Sequence, residues 1–378
     1  MALSVEERDE LRSTARSLLG RDSSSDRVRA AIAEPGGFDR RLWDQMVELG
    51  WTTIHVPEAD GGAGCGFGDL AVILHELGRA VTPSPFLASA VLATSALVLA
   101  APGGARDLLA PIVAGEALGA VAFASAQGSY DLSRATTTWS AEGGSIRLQG
   151  TSGFVLDADV ASILVVAARA ADGTIAAVAV DADAPGVVIE RQVTVDETQR
   201  LCRVSFQDVV VGEERLLCTP GADAEDLFDR VHSLGTIAAG CDATGATEVA
   251  MEQAAAYASE RLQFGKPIGS FQAVKHHCAN MAIAVESSRA ASRGAADAID
   301  ESDDGWATHA AITASFVGPA CSEACGLGLL VHAGIGFTWE HDTHLFMKRV
   351  KLDSTLFGSP GWHRRRLADA VFPALIAS

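Results

Sequence analysis

The spacing of apolar positions changes twice along this chain, and each change marks a new kind of structure. The first stretch is helical. Ser4 and Glu7 form a capping box, and Leu11, Ala15, Leu18 and Leu19 follow as one apolar stripe. A second helix is predicted over residues 38–49, with Trp43, Met46 and Val47 on one face and Gly50 as its stop. Val56-Pro57-Glu58 and Gly61-Gly62-Ala63-Gly64 read as loop, and helices resume over 68–80 and 84–101. The apolar run at 90–101 is short and carries Ser and Thr, so a buried helix is expected there rather than a membrane span.

The period then shortens. Segments 121–124, 145–149, 161–168, 175–180, 186–190 and 202–211 are short, rich in β-branched residues and separated by Gly, Asp and Ser. They predict antiparallel strands in a sandwich or barrel, with Leu156-Asp157-Ala158-Asp159 as a turn. Helical spacing returns over 222–261, 271–300, 306–330 and 362–377. The chain is therefore expected to be α+β. The boundaries are an N-terminal α-helical domain over 1–116, a middle antiparallel β domain over 117–220 and a C-terminal four-helix bundle over 221–378.

Composition sets limits on this picture. A chain of 378 residues with 48% hydrophobic and 20% charged positions is globular and can bury a large core. Its net charge of −19 is spread along the chain, which argues against nucleic acid as a partner, since that needs clustered Lys and Arg. No membrane partner is expected. The acidic start, Met1 to Glu10, is unlike a signal or transit peptide, so a cytoplasmic location is expected. Seven scattered cysteines without a C-x-x-C pair read as free thiols in a reducing compartment. Cys321 and Cys325 are one helical turn apart, but no nearby His completes a metal set.

Residues 260–275 carry the most specific pattern: Glu260-Arg261-Leu262-Gln263-Phe264-Gly265-Lys266-Pro267-Ile268-Gly269-Ser270-Phe271-Gln272-Ala273-Val274-Lys275. Arg261 ends a helix, where the dipole favours a solvated cation. The same planar guanidinium can pair two phosphate oxygens. Phe264-Gly265 breaks the helix, Pro267-Ile268-Gly269 turns, and a new helix starts.

This stretch resembles the E-R-x-Q-F-G-x-P-I-x-x-F-Q segment of the acyl-CoA dehydrogenase family. The resemblance extends along the chain. It includes Phe38 to Trp43, Leu49-Gly50-Trp51, Val56-Pro57-Glu58, Gly61-Gly62, Glu76-Leu77-Gly78-Arg79, Gly150-Thr151, Ala158-Asp159 and Leu164-Val165-Val166. His332-Ala333-Gly334-Ile335-Gly336-Phe337-Thr338 is similar to the family's Gly-Gly-x-Gly-Tyr/Phe-Thr segment. The resemblance implies the acyl-CoA dehydrogenase fold, FAD as cofactor, an acyl-CoA thioester as substrate and electron-transfer flavoprotein as electron acceptor. It implies cofactor contacts at Arg261, Gln263, Phe264, Ile268, Gln272, Gly334 and Gly336, shared across a subunit boundary. Phe154 falls where an aromatic commonly flanks the flavin.

Departures from the family pattern narrow this. Leu330 stands where a Gln is usual, and Ala333 replaces a glycine. Ala124-Ser125-Ala126-Gln127-Gly128-Ser129-Tyr130-Asp131 replaces a segment with an acidic-proline pair. The family removes an α proton with a glutamate at one of two positions. Here those positions fall on Phe357, in Leu356-Phe357-Gly358-Ser359, and on Gly235, beside Thr236. The catalytic residue is therefore unknown from sequence. Asp242 lies about 10 Å along the helix from Gly235, too far for simple replacement. Glu340, Asp342 and His363 are weaker candidates. The missing base and Trp339-Glu340-His341-Asp342 resemble actinobacterial members that work as α2β2 heterotetramers, several on steroid side-chain CoA thioesters. The expectation is a subunit whose homologous partner supplies the glutamate. The alternatives are a homotetramer with a relocated base and a non-catalytic flavin or acyl-CoA binding scaffold. Small residues Gly235, Ala238, Ala239 and Gly240 read either as room for a bulky acyl group or as close helix packing.

Overall fold

The computed structural model describes residues 2–100, 104–301 and 305–372. Helices precede and follow a central sheet, as the changes of period predict. The first helices are α1 (Val5–Asp22), α2 (Ser25–Ala33), α3 (Arg40–Glu48), α4 (Phe67–Arg79), α5 (Phe86–Leu99) and α6 (Gly104–Val113). The strands are β1 (Gly119–Ala122), β2 (Thr137–Glu142), β3 (Ser145–Leu156), β4 (Ile163–Arg169), β5 (Ile175–Asp181), β6 (Val187–Arg191) and β7 (Leu201–Gly212). Then come α7 (Ala222–Glu260), the short β8 (Leu262–Gln263) and β9 (Lys266–Pro267), α8 (Gln272–Glu301), α9 (Trp306–His332), α10 (Thr343–Asp353) and α11 (Pro360–Val371). The periodicity misses α2, α6, β2 and α10. The ends of the predicted helices at 101 and 377 lie outside the described residues.

The chain forms two compact units. One takes residues 31–65 and 83–235 and contains the sheet. Its strands run in the order β1-β4-β2-β3-β7-β6, with β5 along the other edge of β4. The sheet is antiparallel except where β4 meets β1 and, at Arg169, β2, both parallel. This corrects the all-antiparallel expectation. β1 and β4 are joined through β2 and β3, a long connection of the kind a parallel pair needs in place of a tight turn. Ile146, Leu148, Leu164, Val166, Val178, Val180, Val204 and Phe206 fill the core. β4 and β5 are buried on both faces, so their sequences read as apolar runs instead of alternating. The first turns of α5 are π-helical, and a Cβ at Gly119 of β1 would lie 2.5 Å from Ala93 Cβ. Only glycine lets the strand seat there.

The second unit takes residues 2–30, 66–82 and 236 onward. Ser4 caps α1 with Glu7 as the reciprocal partner, as predicted. Asp300 of α8 caps α4 from a distance, accepting from Phe67 N at 2.7 Å and Gly68 N at 2.8 Å. A Cβ at Gly245 of α7 would lie 1.9 Å from His75 O, so α4 and α7 touch backbone to backbone. A Cβ at Gly240 would lie 2.5 Å from Thr313 of α9. The cavity beside Thr236, Ala239 and Gly240 is only about 10 Å³. Close packing therefore accounts for this part of the small-residue run. The segment Trp306–Phe337 is long and apolar enough to cross a membrane, but its α9 is a core helix, burying Ala310, Val317, Cys321, Ala324, Cys325 and Val331. All seven cysteines are free, and burial pushes the Cys241 and Cys325 thiols up to about 12.

Candidate cofactor site

The sequence from Arg261 to Gln272 folds into a small projecting hairpin. β8 pairs antiparallel with β9 through Leu262↔Pro267 and Gln263↔Lys266. The two turn residues are both left-handed, Phe264 at φ 52° and Gly265 at φ 77°, as a two-residue primed turn requires. The hairpin is anchored at its base. Arg261 N donates to Tyr257 O at 2.8 Å, and Ile268 N donates to Arg261 O at 2.8 Å. Ile268 packs partly against a cluster of Ala254, Ala258, Met281 and Val331, so packing accounts for it. Arg261, Gln263 and Gln272 are exposed. Phe264 is 90% exposed, with its ring edge-on to Phe271 at 6.1 Å and Lys266 Nζ 4.4 Å above the Phe271 ring. Apart from that edge contact, the described residues give little reward for a bulky ring in a left-handed conformation and in water. The residue before α8 is Phe271, whose side chain offers no acceptor for the first-turn N–H groups. Such a helix start favours an anion.

The second expected contact segment follows α9. Ala333 ends that helix at φ 54°, ψ −137°, and a 3-10 turn runs over Ala333–Phe337. Gly334 is exposed, and a Cβ there would meet nothing. Gly336 differs: its Cβ would lie 2.9 Å from His332 Cβ, so helix closure explains it. A ring stack ties the turn to the hairpin base. Tyr257 stacks on His332 at 4.8 Å, and His341 follows at 4.5 Å. His332 Nδ1 lies 2.8 Å from Gly328 O. This stack, assembled from α7, α9 and the following loop, is not legible from periodicity. Ala333 keeps a conformation that suits glycine. Ala333→Gly is expected to stabilise the chain by about 1 kcal/mol through lost strain, read as a higher denaturant midpoint at unchanged slope.

In the sheet unit, the register of β3 against β7 shifts between Ser152 and Val155. Gly153 and Phe154 form this bulge, and Phe154 takes φ 54° with its ring half-exposed. Bulges re-aim side chains in this way. The Phe154 ring covers Gly128, where a Cβ would lie 2.8 Å away. The loop before β2 is self-satisfied: Ser129 N donates to Ser125 Oγ at 3.0 Å, and Ala126 N donates to Thr136 Oγ1 at 2.7 Å. Tyr130 packs against Phe123 at 5.1 Å and His232 at 5.6 Å.

The expected base positions carry no carboxylate. Phe357 is 1% exposed and sits at φ 62°. Gly235 is buried within α7. The substitutes are engaged elsewhere. Arg349 Nη1 lies 3.2 Å from both Asp242 oxygens. Asp342 pairs with Arg29 at 2.9 Å and accepts from Ser25. Glu340 is exposed. His363 Nε2 donates to Phe357 O at 3.0 Å, so it holds the turn. Among the described residues no metal cluster occurs.

Burial pushes His363 down to about 4. An unfolded histidine titrates near 6.5, so acid protonates the unfolded chain first. The neutral ring's contribution is complete above that value and is lost as pH falls toward 4, about 3 kcal/mol in all. Melting curves of the wild type and His363→Gln between pH 7 and 4 should show the wild type losing more stability by that amount.

Residues 5–121 match the acyl-CoA dehydrogenase N-terminal domain and residues 233–372 the C-terminal domain. Over 368 residues the chain is 32% identical to acyl-CoA dehydrogenase IpdE2 of Mycobacterium tuberculosis, covering 97% of this chain and 98% of that protein. Among solved structures it is similar to a variant of the Tcur3481-Tcur3483 steroid ACAD (TM-score 0.89, 29% identity, 99% of each chain). It is also similar to the ChsE4-ChsE5 complex of Mycobacterium tuberculosis (TM-score 0.87, 25% identity, 98% of each chain). Fold, hairpin and relatives agree: the chain belongs to the acyl-CoA dehydrogenase family. Its reaction class is oxidation of a CH–CH bond in an acyl-CoA, and the family binds FAD.

Proposed function

We propose that this chain is one subunit of a heteromeric FAD-dependent acyl-CoA dehydrogenase, with a homologous subunit supplying the carboxylate that takes the α proton. The observation that carries the reading is Phe357, a buried apolar ring at the place of the family's base. The relatives named for paired proteins, Tcur3481-Tcur3483 and ChsE4-ChsE5, support it. So does the exposed hairpin, which is built as a contact for something beyond its own chain.

The residues present fit one half of an FAD site. Arg261 offers a planar fork to the pyrophosphate, and α8 offers its first-turn N–H groups. Gln263 and Gln272 offer amides, Phe264 offers a ring face, and Gly334 lets the backbone approach closely. FAD, when bound, supplies the hydride acceptor. The acyl-CoA thioester is read as a steroid-derived one from the similarity to the Tcur3481-Tcur3483 steroid ACAD, with electron-transfer flavoprotein as acceptor and the cytoplasm as location. The test is FAD per chain and acyl-CoA-dependent flavin bleaching, for the chain alone and co-expressed with a homologue that carries the glutamate. Full occupancy and bleaching are expected only for the pair. Bleaching by the chain alone would instead mean a self-sufficient homotetramer. A pair that holds flavin and never bleaches would mean a binding scaffold.

A further inference from the structure

A cavity of about 310 Å³ lies within the helical unit, lined by α1, α4, α7 and α8. It shares no residue with the hairpin or the glycine turn. Four arginines line it, Arg12, Arg16, Arg289 and Arg293, with His75 and Glu248. The chain as a whole has 48 acidic against 29 basic side chains. Four arginines and one carboxylate line the cavity, while Asp9, Glu76, Glu286 and Asp297, which neighbour the same arginines, are not among its lining residues.

The four are held in two ways. Arg16 donates from Nε and Nη2 to the buried Glu76 at 2.9 and 2.8 Å, which leaves the other three of its five N–H groups. Arg289 is fixed by Glu248 at 2.9 Å and Glu286 at 2.6 Å. Glu248 is in turn held by His75 at 2.7 Å and Arg79 at 3.0 Å, and its carboxyl is kept well below the usual range by these partners despite burial. These two arginines are pre-set. Among the described residues Arg12 pairs along its own helix with Asp9, and Arg293 stands 3.8 Å from Asp297, beyond a hydrogen bond. These two can turn toward a ligand. Ala71 and Val72 of α4 give the cavity an apolar wall.

We propose that this cavity binds a small organic polyanion, a phosphate or two or more carboxylates on a short carbon body, gripped by the two fixed and two movable arginines. Its volume is at the lower end of small-molecule sites, about 300–1,000 Å³, which selects against a peptide. Arginines lining one space can offer their planar forks to phosphate and carboxylate oxygens.

The test is calorimetric titration of the full-length chain with inorganic pyrophosphate, with citrate and, as a neutral control, with glycerol. A saturable one-site heat with pyrophosphate or citrate and none with glycerol is expected, and the tighter of the two assigns phosphate or carboxylate. Arg12→Gln and Arg293→Gln should each weaken binding about 10-fold, the loss of one charge-assisted hydrogen bond, at an unchanged melting temperature. Both positions are solvent-accessible, so neither variant threatens the fold. No saturable heat with either anion, or an affinity in both variants unchanged from the wild type, would overturn the proposal.

Discussion

Arg261→Ala is expected to lower the affinity of the assembled protein for FAD by about 10- to 100-fold, the loss of a charge-assisted contact worth about 1.5–3 kcal/mol. The same change should leave the melting temperature of the flavin-free chain where it is, because the Arg261 side chain is exposed. Phe264→Ala should behave alike. A ring that is 90% exposed contributes almost no burial to its own chain, so its removal costs the isolated fold nothing. If Phe264 serves a neighbouring subunit or its flavin, the variant loses assembly or flavin, seen by sedimentation and by the FAD-to-chain ratio. A drop in the melting temperature of the flavin-free chain with unchanged FAD affinity would make the hairpin a structural turn and remove it from the site.

This separation of stability from binding follows from how the segment is built. The parts that hold the hairpin, Ile268 against Met281 and Val331 and the Tyr257–His332 stack, lie below it. The parts that project, Arg261, Gln263 and Phe264, share no packing with them. Sequence motif and structure thus divide the labour at Ile268: the resemblance groups it with the cofactor contacts, while its half-buried position explains it as an anchor.

Local chemistry made much of the fold legible. The capping box at Ser4 and Glu7, the stop at Gly50 and the long apolar stripes of α7, α8 and α9 act over a few residues, and the structure places those helices within a few residues of expectation. What was not legible depends on residues far apart in sequence. The parallel pairing of β1 with β4 depends on β2 and β3 standing between them in sequence, not on the strand's own four residues. β2 has the alternation of an edge-like strand, Thr137 buried and Thr138 exposed, but a Thr- and Ser-rich composition that reads as loop. α2 and α10 are short, and a nine- or eleven-residue helix depends on tertiary packing more than on propensity. At the site, the motif residues were legible and the stack beneath them was not. Its three rings come from positions 257, 332 and 341, which no local period connects.

Phe357→Glu is expected to give this chain, per flavin bound at whatever occupancy it reaches alone, an acyl-CoA-dependent bleaching rate at least about 100-fold above the wild-type chain, since a positioned general base contributes roughly 10²–10⁴. The position suits the experiment for two reasons. The Phe357 side chain is already directed into the interior, at 1% exposure. The turn around it is also fixed from both sides, by His363 donating to its carbonyl at 3.0 Å and by Gly358, where a Cβ would strike the Trp362 ring at 2.7 Å. A glutamate entering this turn is therefore held rather than splayed into water. Burial would raise its pKa, which is the direction a base working near neutrality needs. The exchange also removes a buried aromatic and introduces a carboxylate in its place, a loss of about 3–5 kcal/mol in stability. The variant should therefore be assayed below its lowered melting temperature. The rate should rise with pH as the new carboxylate ionises, a profile the wild type cannot show at this position. Phe357→Gln separates the effects: it is matched in size to glutamate and has no base, so it should lose stability and gain no rate. A folded, flavin-loaded Phe357→Glu chain that bleaches no faster than Phe357→Gln would show that this turn is not where the reaction needs its base. The vacancy would then have to be sought at Gly235, on α7, which ends one residue before Arg261.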